Sequence, residues 1–275
     1  GNTIETISNL IELNILKSNA KNIIIITEKK QNILNLIANK YNLFFIEHKN
    51  FLGGRYSVLS EVGIVPAYLM GVNVTKLRSN LKKYFEAKER SFLKKSSIAL
   101  CEILNKKKYT NLIFLNYAPK LEKFLFWCQQ LIAESLGKKG KGLLPVISNT
   151  PKDHHSLLQL YFDGPKDKIF YIFSEKETQE KKLKIKKITN KADFLENKDI
   201  DQIKSAQKNA LKKVLKKNKI PFREFNINYV DEQTLGEFFS YFILETAIAG
   251  KLANINPFDQ PAVEQVKIDT KDFLI

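Results

Sequence analysis

Several residue types that mark special protein classes are scarce in this sequence. The 275 residues include only two cysteines, Cys101 and Cys128, which lack CxxC spacing and which we interpret as buried thiols in a reducing compartment. The 11 glycines and 8 prolines leave no low-complexity stretch. No run of about 18 apolar residues occurs, so no membrane-spanning helix is predicted. These absences argue against collagen-like, disulfide-rich, disordered and membrane-spanning proteins.

Methionine occurs once, as Met70, and the chain begins with Gly1. Because a natural reading frame begins with methionine, either processing or truncation has removed the start, and we expect the first residues, discussed below, to favour truncation. Its length still suits two modest domains of about 100 to 200 residues each. The hydrophobic fraction of 44% and the charged fraction of 27% are ordinary for a globular protein with a buried core.

Arginine is also scarce, although the chain is strongly basic. The formal net charge is +16, yet the 45 cationic residues include only four arginines, Arg55, Arg78, Arg90 and Arg223. Specific nucleic-acid readers use arginine for bidentate contacts to bases and phosphates. The densest lysine runs instead alternate with apolar residues, as the exposed faces of a strand and a helix would. We therefore predict a lysine-rich surface and no nucleic-acid partner, with a polyanion-binding protein as an alternative.

Hydrophobic periodicity predicts an α/β protein. In the first part we expect helices over 2–19, 31–41 and 62–70, strands over 23–26 and 43–46, and a glycine loop over 53–57. Uninterrupted isoleucine runs between helices indicate parallel sheets covered by helices on both faces. The pattern then predicts a charged connecting helix over 74–93.

The α/β pattern restarts after residue 93. We predict helices over 94–105, 121–136, 155–162, 201–218, 232–250 and 260–273, with strands over 112–115, 144–147, 169–173, 183–188 and 225–229. The predicted organisation is an incomplete first domain over 1–73, the connecting helix over 74–93, and a complete second domain with C-terminal helices over 94–275.

Two candidate anion-binding features lie in the first domain. Gly1, Asn2 and Thr3 begin a predicted helix, where free backbone N–H groups and the helix dipole attract a phosphate, or where they simply cap the helix. Arg55 directly follows two glycines, so its permanent charge can point into a cleft, although a tight turn with a surface arginine is the alternative.

The second domain offers candidates for proton transfer. Gln130 and Glu134 are four residues apart and share one helix face. Glu134 is a candidate general base, and the alternative is a solvated surface pair. His154 and His155 stand at a predicted helix start, where a ring can act near neutral pH; adjacent histidines project too far apart to favour a metal site. Lys267 lies on an apolar helical face, where a lysine usually snorkels.

Five segments, in this order, resemble motifs of the phosphoglucose isomerase family. They read GNTIET, GGRYSVLSEVGIVPAYLMG, QLIAESLGKKGKGLLPV, DHHSLLQLYFDGP and INPFDQPAVEQVK, and the resemblance covers nearly the whole chain. It implies two sugar isomerase domains with parallel sheets covered by helices, the first domain incomplete because the family's GIGGS-type segment would precede Gly1. It also implies a cytoplasmic aldose-ketose isomerase that interconverts glucose 6-phosphate and fructose 6-phosphate through a cis-enediolate, without metal or cofactor.

The resemblance also implies roles for individual residues. Glu134 would carry the proton between C2 and C1, and Arg55 would stabilise the enediolate charge. His155, with His154 as a weaker candidate, and Lys267 would serve ring opening. The implied substrate-binding residues are Gly1, Asn2, Thr3 and Gln130.

In that family the histidine comes from the partner subunit, so a homodimer and a small sugar-phosphate ligand are implied, with no membrane or nucleic-acid partner. A catalytically inactive sugar-phosphate-binding regulator of the same fold is the alternative function. We expect the isolated chain to be weakly active or inactive, because part of the phosphate site would lie before Gly1.

Overall fold

The computed structural model describes residues 2–176, 183–187 and 189–274. Within these ranges, no helix has the length and apolar character needed to cross a bilayer. The chain forms two compact units that divide between Thr75 and Lys76. The predicted division at residues 73 and 93 stays a prediction.

Helices and strands alternate along most of the described chain. The strands are β1 (Ile24–Glu28), β2 (Phe44–His48), β3 (Asn111–Asn116), β4 (Leu144–Asn149), β5 (Lys168–Glu175) and β6 (Phe222–Ile227). The α-helices are α1 (Asn2–Glu12), α2 (Ile33–Lys40), α3 (Glu61–Leu69), α4 (Val74–Arg78), α5 (Ala87–Lys106), α6 (Glu122–Leu136), α7 (Lys152–Asp163), α8 (Ile200–Lys217), α9 (Glu232–Leu252) and α10 (Glu264–Asp272).

The first unit has a parallel pair of strands, with Ile24 of β1 opposite Phe44 of β2. Its core contains apolar residues from α1, β1 and α2 and from the segments that connect them: Ile7, Leu16, Ile25, Ala38 and Leu43. The predicted helix over 2–19 is too long, because α1 ends at Glu12. Asn14 adopts a left-handed conformation with φ 55°, and the turn brings Leu16 into the core.

The predicted connecting helix over 74–93 is wrong. This stretch contains α4, a short 3₁₀ turn over Lys83–Phe85 and the start of α5. Hydrogen bonds to α9 anchor the segment between α4 and the 3₁₀ turn, since the Asn80 side chain donates to Glu237 at 2.5 Å and the Ser240 hydroxyl donates to the Leu81 carbonyl at 2.9 Å. The bond from Ser240 thus satisfies one backbone carbonyl of this segment.

The second unit has a four-stranded sheet in the order β4-β3-β5-β6, and all neighbouring strands are parallel. One face packs on α7 and α8, through residues such as Ile113, Ile172 and Leu215. The other face is aromatic, with Phe173 stacked on Phe225 at 4.6 Å and Phe124 of α6 stacked on Phe238 of α9 at 5.4 Å. This confirms the predicted α/β class, with a parallel sheet covered on both faces.

Two details of the second unit differ from prediction. The predicted strand over 183–188 is not seen, since residues 183–187 form no strand and Ile188 lies outside the described residues. Ile185 exchanges two backbone hydrogen bonds with residues 197–198, but it pairs with no strand. The last strand begins at Phe222, three residues earlier than predicted. The prediction was late because Arg223 and Glu224 interrupt the apolar pattern, whereas in the structure both side chains pair with charged partners.

Candidate functional site

The carboxyl ends and the amino ends of the parallel strands form two opposite edges of the second sheet, and different candidate residues lie near each edge. The helix α6 starts at the carboxyl edge, where Asn149 donates to Glu122 at 2.7 Å, and runs back against β4. Nearer its other end, Gln129 donates to the carbonyl of Pro145, the second residue of β4, at 2.7 Å. With 15 residues and a rise of about 1.5 Å each, α6 is about 22 Å long. Residues at the end of α6 and after the end of β4 therefore lie at opposite edges.

Glu134 lies in the last turn of α6, at the amino edge of the sheet. The buried side of the helix carries Phe124, Leu125, Cys128, Leu131, Ile132, Ser135 and Leu136. Glu134 is partly exposed, and Gln130 one turn earlier is exposed and donates to Glu134 Oε1 at 3.1 Å. The structure thus brings these two predicted site residues together, with a carboxylate that is oriented by an amide and accessible from solvent.

The two adjacent histidines have different environments. His154 turns inward, with Nε2 2.6 Å from the hydroxyl of Tyr117, which follows β3 and is 1% exposed. Burial lowers the pKa of His154, partly offset by the neighbouring Asp153. His155 is exposed on α7, and no hydrogen bond or ion pair links its ring to any other described residue. The outward ring is therefore the one available to an external ligand.

Arg55 lies in a 3₁₀ helix, Gly54–Leu59, where the sequence predicted a glycine loop. The Ser57 hydroxyl donates to the Gly54 carbonyl at 2.7 Å and so tightens this turn. Arg55 is 4% exposed, with its guanidinium 5.3 Å from the centre of the Tyr56 ring. A desolvated guanidinium acts strongly on a developing negative charge because the surrounding dielectric is low.

A hydrogen-bonded pair that sequence reasoning missed supports the segment before Arg55. His48 Nδ1 lies 2.7 Å from Glu61 Oε1, and His48 Nε2 lies 2.9 Å from the Leu52 carbonyl oxygen. Burial raises the pKa of Glu61, but hydrogen bonds from backbone N–H groups and from His48 bring it below its ordinary value. The sequence offered only a lone histidine as a signal.

The remaining predicted residues lie at the chain's two ends. Gly1 lies outside the described residues; the backbone of Asn2 begins α1, and Thr3 is exposed in its first turn. Lys267 is on α10, exposed, with Nζ 2.6 Å from Glu264 Oε1. Residues 261–274 are exposed throughout, so the predicted apolar helical face around Lys267 is not covered within the second unit.

Comparisons with known proteins give consistent results. The family model of phosphoglucose isomerase matches residues 3–273. A protein named probable glucose-6-phosphate isomerase from Methanococcus maripaludis is 34% identical over 97% of this chain and 62% of its own length. A glucose-6-phosphate isomerase from Methanocaldococcus jannaschii is 31% identical over 97% of this chain and 68% of its own length.

Solved structures share the fold. A hypothetical protein from Thermus thermophilus gives a TM-score of 0.84 with 26% identity, over 100% of this chain and 69% of that one. A glucose-6-phosphate isomerase from Chlamydia trachomatis gives 0.75 with 16% identity, over 98% and 56%, a likeness that concerns the fold alone. The chain spans 62% to 68% of the length of the two archaeal relatives.

Proposed function

This chain belongs to the phosphoglucose isomerase family, and from that premise we propose that the protein containing it interconverts glucose 6-phosphate and fructose 6-phosphate. The observation that carries the proposal is the Gln130–Glu134 pair, a partly exposed carboxylate held by an amide at 3.1 Å. Such a group can both take and return a proton. The proposed setting is the cytoplasm.

In the proposed reaction Glu134 acts on the open-chain sugar. Its carboxylate removes the proton from C2, and the C–H electron pair forms the double bond of a cis-enediolate as charge moves to the carbonyl oxygen at C1. Glu134 then delivers a proton to C1, either the abstracted one or one exchanged with solvent, while the O2 hydroxyl loses its proton and O1 gains one, which leaves the carbonyl of the ketose at C2. Arg55 stabilises the enediolate charge, a role that its permanent charge and burial support.

The other predicted residues bind substrate or open the ring. Lys267 and His155 move protons to and from the ring oxygen O5 and the anomeric hydroxyl as the ring opens and closes, with His154 as the weaker candidate. Gln130 contacts the sugar, and Thr3 with the backbone of Gly1 and Asn2 binds phosphate, where the start of α1 supplies N–H groups. The proposed reaction uses no metal or cofactor.

The positions of Glu134 and His155 support a site built from two copies of the chain. Within one copy, Glu134 lies at the amino edge of the second sheet, and His155 lies in the helix that begins at the carboxyl edge. The length of β4, about 17 Å, separates these two edges. One sugar phosphate is too small to contact both groups. We therefore propose a homodimer in which His155 reaches the site of the partner subunit.

The test is an isomerisation assay in D₂O with the protein as its gene encodes it. We expect conversion of glucose 6-phosphate to fructose 6-phosphate with protein-dependent deuterium incorporation at the carbon that exchanges its proton. Tight sugar-phosphate binding without turnover would instead favour the inactive regulator of the same fold.

Mixing two impaired variants tests the two-copy site. Glu134→Gln and His155→Asn subunits, unfolded and refolded together, should form heterodimers with one intact site. Random pairing of equal amounts restores about a quarter of the wild-type activity. No recovery from a mixture that contains heterodimers would place both residues in the same subunit's site.

A further inference from the structure

The loop after α6 is fixed in a tight conformation. We call residues 137–142, of sequence GKKGKG, the lysine loop. Lys139 and Gly140 adopt left-handed backbone with φ 54° and 66°, and Gly142 has φ 135°. A Cβ on Gly142 would lie 2.8 Å from the Gly137 Cα, so the loop closes on itself there.

All three lysines of this loop donate to one distant stretch of chain, residues 253–259. Lys138 Nζ donates to the carbonyls of Asn256 and Asp259, both at 2.5 Å, and to Asp259 Oδ1 at 2.8 Å. Lys139 Nζ donates to the Asn254 carbonyl at 3.0 Å and Lys141 Nζ to the Ala253 carbonyl at 2.9 Å. An ammonium group has three donors, so Lys138 uses all of its hydrogen bonds on this stretch.

The geometry shows that Lys138 is the central contact. Its side chain is 12% exposed although it is charged, and its hydrogen bond lowers the pKa of Asp259. Asn256 in turn donates to Asp259 Oδ2 at 2.9 Å. Lysines with a purely solvating role remain exposed, so burial of this one at its partners indicates a structural or positioning task.

The stretch 253–259 is held from its other side by apolar contacts. Ala253 and Ile255 are buried, and Pro257 packs so closely that a Cβ on Gly250 would lie 3.0 Å from the proline ring. The same Cβ would lie 3.2 Å from Leu136 Cδ2, at the end of α6. The end of α6 and the stretch 253–259 are therefore fixed together.

This stretch leads directly into α10. It is followed by a 3₁₀ turn, Pro261–Val263, and by α10, which is exposed along its length and carries Lys267. An open cleft of about 600 Å³ separates the lysine loop from Pro261 and Ala262, so hydrogen bonds across it set the spacing there. These contacts therefore lie directly before the segment that contains α10.

We propose that Lys138 is a positioning residue that fixes the start of α10, and with it Lys267, relative to Glu134 at the end of α6. This inference rests on the proposed function, because it concerns the step assigned to Lys267. Lys138 lies four residues after Glu134, so one short segment sets the geometry of the ring-opening lysine and of the proton-transfer carboxylate.

The first experiment measures hydrogen exchange in the protein as its gene encodes it. For Lys138→Met we expect amides of residues 253–263 to exchange about tenfold faster or more, with α6 unchanged, because three hydrogen bonds to that stretch are lost. Lys139→Met is the matched control from the same loop; it loses a single carbonyl contact and should change exchange less than about threefold. Unchanged exchange in Lys138→Met would overturn the positioning role.

The second experiment separates ring opening from isomerisation. Lys138→Met should lower kcat about tenfold for fructose 6-phosphate with little change in KM, and have little effect on its 5-deoxy analogue, which lacks the O5 that closes the ring. Lys138→Arg should restore part of the loss, and Lys138→Met should add no loss to Lys267→Ala.

The outcomes distinguish this inference from the proposed function. Equal losses on both substrates, or a further loss in the Lys267→Ala background, would overturn the positioning role while leaving the isomerase assignment intact. A wild-type protein that turns over neither substrate would overturn the proposed function, and the role of Lys138 in it, whatever the exchange result.

Discussion

Two carboxylates on neighbouring helices of the second unit, Glu245 and Glu134, occupy opposite environments. Glu245 on α9 is 1% exposed and accepts two hydrogen bonds from Arg223, at 2.6 and 2.9 Å, and one from Tyr241 at 2.7 Å. The Arg223 guanidinium also lies 4.1 Å from the centre of the Tyr171 ring. Glu134 on α6 is partly exposed beside the exposed Gln130.

The difference separates a structural charge from a chemically available one. Burial alone raises the pKa of Glu245, but the charge and hydrogen bonds of Arg223 hold it below its ordinary value. The carboxylate oxygens of Glu245 accept hydrogen bonds from Arg223 and Tyr241 and are closed to ligands, so Glu245 stabilises the aromatic core. Glu134 keeps access to solvent.

The largest expected effect tests the available carboxylate. Glu134→Gln should lower kcat about 10²- to 10⁴-fold, because the proton-transfer group is lost while the shape is kept. The melting temperature should stay within about 2 °C, since Glu134 lies outside the core. Glu102→Gln, a matched change at an exposed glutamate of α5, should leave both unchanged. Comparable activity in the two variants would remove Glu134 from the mechanism.

The structural carboxylate should show the reverse behaviour. Glu245→Gln leaves the Arg223 guanidinium without its counter-charge, and we expect the free energy of unfolding to fall by about 3 kcal/mol. The exposed Glu102–Lys106 pair, at 3.4 Å, gives the control: Glu102→Gln should cost about 0.5 kcal/mol or less. Chemical denaturation measures both, and equal values would mean that the buried pair adds nothing to stability.

The sequence predicted the fold well where burial makes the pattern simple. Five of the six described strands were located within about two residues, because a strand covered on both faces reads as an apolar run. The strand β6 was placed three residues too late, since Arg223 and Glu224 belong to it and find charged partners only in three dimensions. The helix break near Asn80 was missed, and the contact that Asn80 makes there is with Glu237, distant in sequence.

The candidate site was predicted from motifs more than from physics. Spacing placed Gln130 and Glu134 on one helix face, and the family resemblance assigned their roles. The partners of the lysine loop could not be predicted, because the sequence shows three lysines whose carbonyl acceptors lie more than a hundred residues later. Nor did any pattern distinguish the inward His154 from the outward His155; Tyr117 makes that difference.

The smallest expected effect sharpens the same contrast at these adjacent histidines. His154→Asn removes the ring nitrogen that lies 2.6 Å from the Tyr117 hydroxyl, so the free energy of unfolding should fall by about 1 kcal/mol, with activity changed less than about threefold. His155→Asn, the matched neighbour on the exposed face, should leave stability unchanged and lower kcat about tenfold or more, because we propose that its ring serves ring opening. Thermal melts and steady-state kinetics on both variants decide the assignment. If His154→Asn were the catalytically impaired variant, the inward ring would be the functional one, and the exposure of His155 would have no part in the reaction.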